Sequence, residues 1–323
     1  MSVSRILTIL FLVCAVSFFI IPEKSVIAKD DDVVDVVKLP PLKGPKKTIA
    51  VLGFENKSGF AGELSIGDEF SEMLTESLMK TGQFIVVARQ ELSAVIAEQD
   101  MAASSRFAKS KTATKGKLIP AQIIIKGAVT EFEAREKGGT GGIRLGNLGF
   151  GNIGISGTSS RAHVAVIVSI IDSTTGQVID SHRVEGKASS SGIGVDYAYK
   201  WFSLGGADFK RTPLGKATHS AIAEAVIYIA DKLADLPWSG SIVKVEGQTA
   251  YINAGSEAGI VAGDSFNVYR EEEAFTDPVT GAPLGAEKTE LGEIEVTSVK
   301  GKYAIAKIIR SNGQIQRGDL VTE

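Results

Sequence analysis

Two long strand-like segments, each bent near its middle by glycine, fill most of the chain between residues 127 and 213. The first covers about residues 129–171 and turns through the glycine-rich run 145–152, while the second covers about residues 184–212. Each arm is long enough for the roughly 9–11 residues that a β-strand needs to cross a bilayer. The sequence therefore predicts two long β-hairpins, which are either membrane strands or extended soluble loops.

The second segment alternates strictly between two kinds of side chain. One face is apolar and aromatic and the other is small or polar, as lipid and an aqueous lumen would require. This pattern predicts three lipid-facing residues, Tyr197, Tyr199 and Trp201, and three lumen-facing residues, Asp196, Ala198 and Lys200. Alternation of this kind is a weak signal, so the pattern alone supports membrane hairpins and soluble loops equally.

The first 28 residues have the features of an export signal. Arg5 is followed by the uncharged run 6–21, and Val26 and Ala28 occupy the −3 and −1 positions of a signal-peptidase site. The alternative is a membrane anchor, but sixteen residues fall short of the roughly 20 that a spanning helix needs. The single cysteine, Cys14, lies inside this run. Cleavage after Ala28 would leave a mature chain without disulfides, thiol catalysis or cysteine-ligated metals.

Composition and spacing divide the rest of the chain into three parts. Residues 29–47 combine charge clusters with prolines, which predicts a flexible leader. Residues 48–236 predict an α/β domain that carries the two hairpins. Residues 240–323 contain short strands separated by turn signals, which predicts a small all-β barrel or sandwich. The fold class is therefore α+β, with a periplasmic α/β domain and a C-terminal all-β domain.

Within the α/β domain, apolar spacing predicts three helices. The first begins after the capping residue Ser65 and ends at Gly82, the second covers about residues 92–99, and the third covers about residues 216–235. Short apolar runs predict strands at residues 49–54, 84–87 and from 123 onward. In the β domain, Gly263-Asp264 and Gly318-Asp319 end two similar segments, which indicates two equivalent turns of one barrel.

The sequence offers no constellation typical of an enzyme. The three histidines have no metal-ligand spacing, and Gly138 to Gly142 lacks the following helix that a phosphate-binding loop requires. With 35 Lys and Arg against 38 Asp and Glu, the chain carries no positive field for nucleic acid. We therefore expect no enzymatic activity, no cofactor, no metal and no nucleic-acid partner.

Several of these segments resemble the CsgG family of curli secretion channels. The similarity is carried by Ile49-Ala50-Val51, by residues 54–59, by Gly82 to Arg89, and by the turn Asp172 to Gly176 within residues 168–178. The resemblance implies a subunit of a ring-shaped outer-membrane channel that exports polypeptide by passive passage. It also implies a homo-oligomeric ring, contact with outer-membrane lipid, a secreted polypeptide substrate and periplasmic accessory proteins.

The chain departs from that family pattern in two places. It has no usable lipidated N-terminal cysteine, and the loop 59–64 lacks the Tyr, Asn and Phe of the family's constriction. Phe60 is the one aromatic residue left in this loop, and it is equally a candidate constriction residue or a packed side chain.

A second resemblance concerns the C-terminal region. Residues 250–253 and 266–270 are similar to the C-terminal domain of the flagellar ring protein FlgT. This implies an alternative function, a periplasmic ring, scaffold or assembly protein that does not enter the bilayer. The chain is accordingly expected either in the outer membrane facing the periplasm or in the periplasm.

We predict export with cleavage after Ala28 and no lipid modification, because Val26 and Ala28 satisfy the cleavage rule whereas Cys14 lies in mid-run. Mass spectrometry of the mature N-terminus measures this directly. A diacylglyceryl group on Cys14 would contradict the prediction.

Overall fold

A computed structural model of the protein describes residues 39, 41–42, 44–60, 65–102, 118–138, 157–193, 212–273, 275–279 and 283–323. These residues form a mixed sheet covered by helices and a separate closed barrel. The predicted α+β class is confirmed. Of the two arrangements expected for the C-terminal region, a barrel or a sandwich, the structure shows the barrel.

The mixed sheet joins parallel and antiparallel strands. Its order is β3-β1-β4-β5-β6, and a short strand, β2, pairs with β4 beside β1. Strand β1 is parallel to both β3 and β4, whereas β4, β5 and β6 are antiparallel neighbours. The strands are β1 (Lys47–Val51), β2 (Glu55–Asn56), β3 (Phe84–Ala88), β4 (Ile123–Gly138), β5 (Gly157–Asp172) and β6 (Val178–Ile193).

Helix α1 (Ile66–Thr81) has the ends that its sequence predicts. The Ser65 hydroxyl accepts a hydrogen bond from the backbone N–H of Asp68, and Gly82 ends the helix with a φ of 68°. The helix buries one apolar stripe, of which Phe70, Leu74 and Leu78 are at most 2% exposed. This stripe fills the core beneath β1 and β4.

Helix α2 (Leu92–Ala102) forms where it was predicted but buries a different set of residues. Its buried positions are Gln99 and Ala102, whereas Val95 and Ile96 are 36% and 42% exposed. The expected apolar face is therefore open to solvent.

Helix α3 (Pro213–Ala234) begins three residues before its predicted start. The Thr212 hydroxyl accepts a hydrogen bond from the N–H of Gly215, and Pro213 occupies the first turn, where a missing N–H costs nothing. The predicted apolar face is fully buried, through Ile222, Ala225, Val226, Ile229 and Leu233.

Helix α3 lies unusually close to strand β6. A Cβ added at Gly186 would stand 1.8 Å from the carbonyl oxygen of Ala217 and 2.7 Å from the backbone nitrogen of Ala221. Both alanines are completely buried. The helix backbone therefore rests on the strand backbone, and only glycine fits at this crossing.

Polar side chains fix the C-terminal half of α3 on the same strand. Lys232 forms an ion pair of 3.0 Å with Asp180, which lowers the pKa of Asp180 and raises that of Lys232. One turn earlier, the ring of Tyr228 lies 5.0 Å from that of His182. Burial, together with the Asp180 charge, raises the pKa of the Tyr228 hydroxyl to about 12. The phenol therefore stays neutral at any physiological pH.

The C-terminal barrel closes through six strands in the order β12-β13-β8-β7-β14-β9. Strand β14 is only three residues long, yet it bridges β7 and β9 and completes the closure. The barrel strands are β7 (Ser239–Glu246), β8 (Thr249–Ile252), β9 (Ser265–Glu271), β12 (Lys288–Val299), β13 (Ala304–Ser311) and β14 (Leu320–Thr322). Two further strands, β10 (Phe275–Thr276) and β11 (Pro283–Gly285), form a separate ribbon between β9 and β12.

The two Gly-Asp segments form equivalent turns. Gly263 and Gly318 each have a φ of +96°, and each following aspartate accepts a hydrogen bond from the N–H three residues earlier. Asp319 is 4% exposed and also receives two bonds of 2.9 Å from Arg270. This paired charge ties β9 to the last turn of the barrel, and the carboxylate raises the pKa of Arg270.

Hydrogen bonds connect the barrel with the mixed sheet and with the residue that precedes it. The Gln122 side chain at the start of β4 donates to the backbone oxygen of Ser239 at 2.6 Å. The N–H of Lys46 donates to the carbonyl of Ala258 at 2.7 Å. Next to it, Lys47 is only 6% exposed, and this burial lowers its amine pKa.

We expect Gly186→Ala to destabilise the protein by about 1–3 kcal/mol, because the new methyl group collides with backbone atoms that cannot rotate away. Urea unfolding followed by circular dichroism measures the free energy of unfolding. Gly53→Ala is the matched control, since a Cβ there meets only the Asp68 carboxylate at an ordinary 3.6 Å. Equal stability of the two variants would contradict this account of the crossing.

Candidate functional site

Strands β4, β5 and β6 are each 16 residues long. Their last buried core positions are Phe132, Ala162 and Val184, beside the partly buried Ala188. Backbone pairing nevertheless continues to Gly138↔Thr158 and Gly157↔Ile193. Strands β4, β5 and β6 therefore form one long three-stranded ribbon.

A bulge in β4 sets which side chains lie on each face of this ribbon. The register with β5 shifts between Val129 and Glu131, and the Thr130 hydroxyl bonds to the Ala165 carbonyl at 3.1 Å. Before the bulge, Ile125 and Val129 face the helices, and after it Phe132 does so. Glu131 is thereby directed to the face of the sheet opposite the helices.

Five charged or ionisable side chains on this open face connect all three strands. His163 on β5 lies between two carboxylates, with Nδ1 2.9 Å from Glu131 and Nε2 3.3 Å from Glu185. Arg183 on β6 donates to both carboxylates, and Lys187 adds an ion pair of 2.8 Å to Glu185. We refer to Glu131, His163, Arg183, Glu185 and Lys187 as the ionic girdle.

The ionic girdle borders an open cleft of about 790 Å³. Three of its members line the cleft, namely Glu131, His163 and Lys187, together with Glu133, Arg161, Ala162, Ala188 and Ser189. The side chains of the ionic girdle are 28–71% exposed, so they interact in water and each ion pair adds little stability by itself. Their shared geometry aligns the strands, but the group lacks an activated nucleophile.

Phe60 packs against the end of this sheet. Its ring meets that of Phe132 edge to face at a centroid distance of 5.3 Å. Asn56 holds the loop in place, because its side chain donates to the Phe60 carbonyl at 2.9 Å and accepts from Ser58. Phe60 is thus partly buried against the core, and the loop residues 61–64 lie outside the described residues.

Unlike Phe60, the other six predicted site residues lie outside the described residues. Tyr197, Tyr199 and Trp201, together with Asp196, Ala198 and Lys200, belong to the stretch 194–211 that follows β6. Their predicted lipid-facing and lumen-facing roles therefore stay predictions.

Sequence reasoning did not identify the ionic girdle. Its members are 56 residues apart in the chain at most, and no spacing motif links them. The available signal was the alternation of charge along 183–187, where Arg183, Glu185 and Lys187 occupy every second position.

Two properties of the described residues concern membranes and metals. None of their helices combines the length and the apolar character needed to cross a membrane. Within the same residues, no group of three or more His, Cys, Asp or Glu side chains is arranged to hold a metal ion.

Comparison of the sequence with known families gives two matches. The profile of the curli production assembly/transport component CsgG matches residues 30–253, which is more than half of the chain. The profile of the C-terminal domain of flagellar assembly protein T matches residues 247–323. A search of curated proteins found no match.

Solved structures with a similar backbone include three bacterial proteins. Hypothetical protein CT253 from Chlamydia trachomatis is 18% identical with a TM-score of 0.36, and the match covers 57% of this chain and 96% of that one. The PelC dodecamer from Paraburkholderia phytofirmans is 15% identical with a TM-score of 0.28, and the match covers 59% of this chain and 93% of that one. The LpoB C-terminal domain from Escherichia coli is 14% identical with a TM-score of 0.25, and the match covers 45% of this chain and 86% of that one. Scores this low carry no argument about function.

We expect Phe60→Ala to lower the free energy of unfolding by about 1–2 kcal/mol, because it removes the edge-to-face contact with Phe132. Thermal or urea unfolding measures the change. Phe275→Ala serves as the control, since that ring is 59% exposed and should contribute almost nothing. An unchanged stability of the Phe60 variant would show that the ring is not a packed residue.

Proposed function

This chain belongs to the CsgG family, and we propose that it is one subunit of an oligomeric outer-membrane secretion channel that passes polypeptide passively. The observation that carries the proposal is the ribbon of β4, β5 and β6, three strands of 16 residues whose backbone pairing reaches Gly138, Gly157 and Ile193. Family membership supports the coarser statement, a secretion-related protein of the cell envelope.

A ribbon of this kind needs partners if it enters lipid. Unpaired N–H and C=O groups in hydrocarbon cost several kcal/mol each, so an open sheet edge is not tolerated there. One chain offers about four long strands, counting the predicted return arm that ends at residue 212, whereas the smallest bacterial outer-membrane barrels have about eight. Neighbouring copies would therefore pair edge to edge, most simply in a closed cyclic ring.

The ionic girdle limits where hydrocarbon could begin. A charged side chain facing lipid costs about 2–4 kcal/mol at the bilayer midplane. The girdle carries two carboxylates and two permanent cations on one face of the ribbon. Water must therefore reach that face, so we place the girdle at the periplasmic side or in the lumen, and the lipid-facing residues beyond it.

The predicted alternation beyond β6 completes this proposal. Tyr197, Tyr199 and Trp201 would contact lipid, and Asp196, Ala198 and Lys200 would line the lumen. Phe60 is proposed as a constriction residue, since its ring stays partly exposed while Phe132 supports it. The proposed partners are further copies of the chain, outer-membrane lipid, a secreted polypeptide and periplasmic accessory proteins.

A second candidate function is a periplasmic ring or scaffold protein that never enters the bilayer. The match of residues 247–323 to the C-terminal domain of flagellar assembly protein T favours it. The two functions differ in a simple property, because a scaffold would be released from the membrane fraction by salt, whereas a channel would require detergent.

We expect Tyr199→Asp to block insertion into liposomes, because it places a carboxylate where hydrocarbon is proposed. Ala198→Ser on the opposite face should insert and conduct like the parent, and so should the conservative variant Tyr199→Phe. Liposome conductance and detergent-resistant oligomers are the measurements. If Tyr199→Asp conducted like the parent, or if the parent were a soluble monomer, the channel proposal would fail.

A further inference from the structure

Strand β6 forms one edge of the mixed sheet, because among the described strands only β5 pairs with it. A sheet edge offers unpaired backbone groups to any other β-strand. In an antiparallel pair, alternate residues turn both N–H and C=O towards the neighbouring strand or away from it. The register with β5 runs without a shift from Asp180 to Ile193, so this alternation is unbroken along that part of the edge.

Two hydrogen bonds identify the residues whose N–H groups point outward from the sheet. The N–H of Glu185 donates to the Glu224 carboxylate on α3 at 3.0 Å. The N–H of Ser181 donates to the carboxylate of its neighbour Asp180 at 2.8 Å. Ser181 and Glu185 are four residues apart, as the alternation requires for two groups on the same side. Both outward donors are therefore bound by carboxylates instead of by a strand.

Helix α3 supplies or holds both carboxylates through one stripe of side chains. Glu224, Tyr228 and Lys232 are spaced four residues apart, which places them on one face of the helix. Glu224 binds the strand directly, and Lys232 holds the Asp180 carboxylate at 3.0 Å. Between them, the ring of Tyr228 lies 5.0 Å from that of His182. We refer to Glu224, Tyr228 and Lys232 as the edge guard.

The close crossing at Gly186 brings the edge guard within reach of the strand. The backbone of α3 lies against β6 there, beside Ala217 and Ala221. The guard begins one turn later in the helix, at Glu224, and follows residues 180–185 of the strand from that point. Side chains on a more distant helix would not reach the backbone of β6. The glycine that allows the crossing therefore also allows the edge to be covered.

We propose that the edge guard prevents a second copy of the chain from adding a β-strand along residues 180–185. Strand addition uses the outward N–H groups of a sheet edge, and here carboxylates already occupy two of them. An incoming strand would have to replace each carboxylate by a neutral carbonyl. Hydrogen bonds to a charged acceptor are roughly twice as strong as those between neutral groups, so this exchange is unfavourable.

The edge guard also sets a limit for the pairing between subunits, a point that rests on the proposed ring. Its carboxylates end at Glu185, so strand pairing along β6 is left to the residues from Lys187 onward. The α/β layer of each copy then stays a separate sheet, and copies can join only through the ends of their ribbons. Glu224 is thus a residue that determines the register at which pairing along this edge can begin.

Hydrogen exchange of the full chain, measured residue by residue, tests the guard directly. We expect Glu224→Ala to raise the exchange rate of the Glu185 amide about tenfold, because that N–H loses a charged acceptor. Glu224→Gln should keep most of the protection, since its amide oxygen still accepts a hydrogen bond. The Ser181 amide should not change in either variant. Unchanged exchange at Glu185 in the alanine variant would overturn the inference.

Cross-linking measures whether the uncovered edge pairs with another copy. The reporter is Ser181→Cys in a Cys14→Ser parent, treated with a bismaleimide. Adding Asp180→Ala and Glu224→Ala removes both carboxylates from the edge, and the yield of cross-linked dimer should rise several-fold.

The matched control removes two exposed carboxylates from other helices, through Glu72→Ala and Glu98→Ala, and should cross-link like the reporter parent. Equal yields with and without the edge carboxylates would contradict the guard and leave the channel proposal standing. A parent that forms no ring would remove the channel proposal, whereas the exchange rate of the Glu185 amide would still decide whether the guard covers the edge.

Discussion

Strand β4 carries two kinds of pairing at once, and the rest of the α/β layer depends on it. Residues 123–125 pair parallel to β1, while the whole strand pairs antiparallel to β5. A parallel neighbour requires a crossover connection, whereas an antiparallel neighbour needs only a turn. Helices α1 and α2 therefore belong to the crossover connections among the parallel strands, whereas β4, β5 and β6 form an antiparallel ribbon on which α3 packs.

The ribbon of β4, β5 and β6 has different surroundings on its two faces. Near β1 the strands are covered by α1 and α3, and the crossing at Gly186 brings α3 to backbone contact. The ionic girdle lies at the level of this core on the opposite face of the sheet, since Glu131 and Glu185 both pair with Ala165. Charged pairs align strands without sealing a surface from water, so one face of the ribbon packs against helices and the other stays open to solvent.

The barrel shows which structural elements can be predicted from neighbouring residues in the sequence and which cannot. Its turns were predictable because glycine with positive φ and a following aspartate form a turn that depends on few neighbours. Strand β14 was not predictable, since three residues carry no periodicity and become a strand only between β7 and β9. The pairing of β10 with β11, through Phe275 and Gly285, was not predictable for the same reason, since these strands have two and three residues.

By itself the sequence determined the elements whose signals are local. The caps of α1 at Ser65 and Gly82, the apolar stripe of α3, and the core strands follow from hydrogen-bonding groups and periods within a few residues. The motifs from Ile49 to Gly59 and from Gly82 to Arg89 were sufficient to indicate the family.

Only the tertiary structure decided which faces those elements present. The bulge at Thr130 reverses the alternation along β4, so a period of two misassigns every residue after it. Glu131 thereby reaches His163 and Arg183, which are distant in the chain. Helix α2 shows the same limit, because its apolar residues are buried only if another surface covers them. Burial and long-range ion pairs depend on what lies opposite, which no local pattern contains.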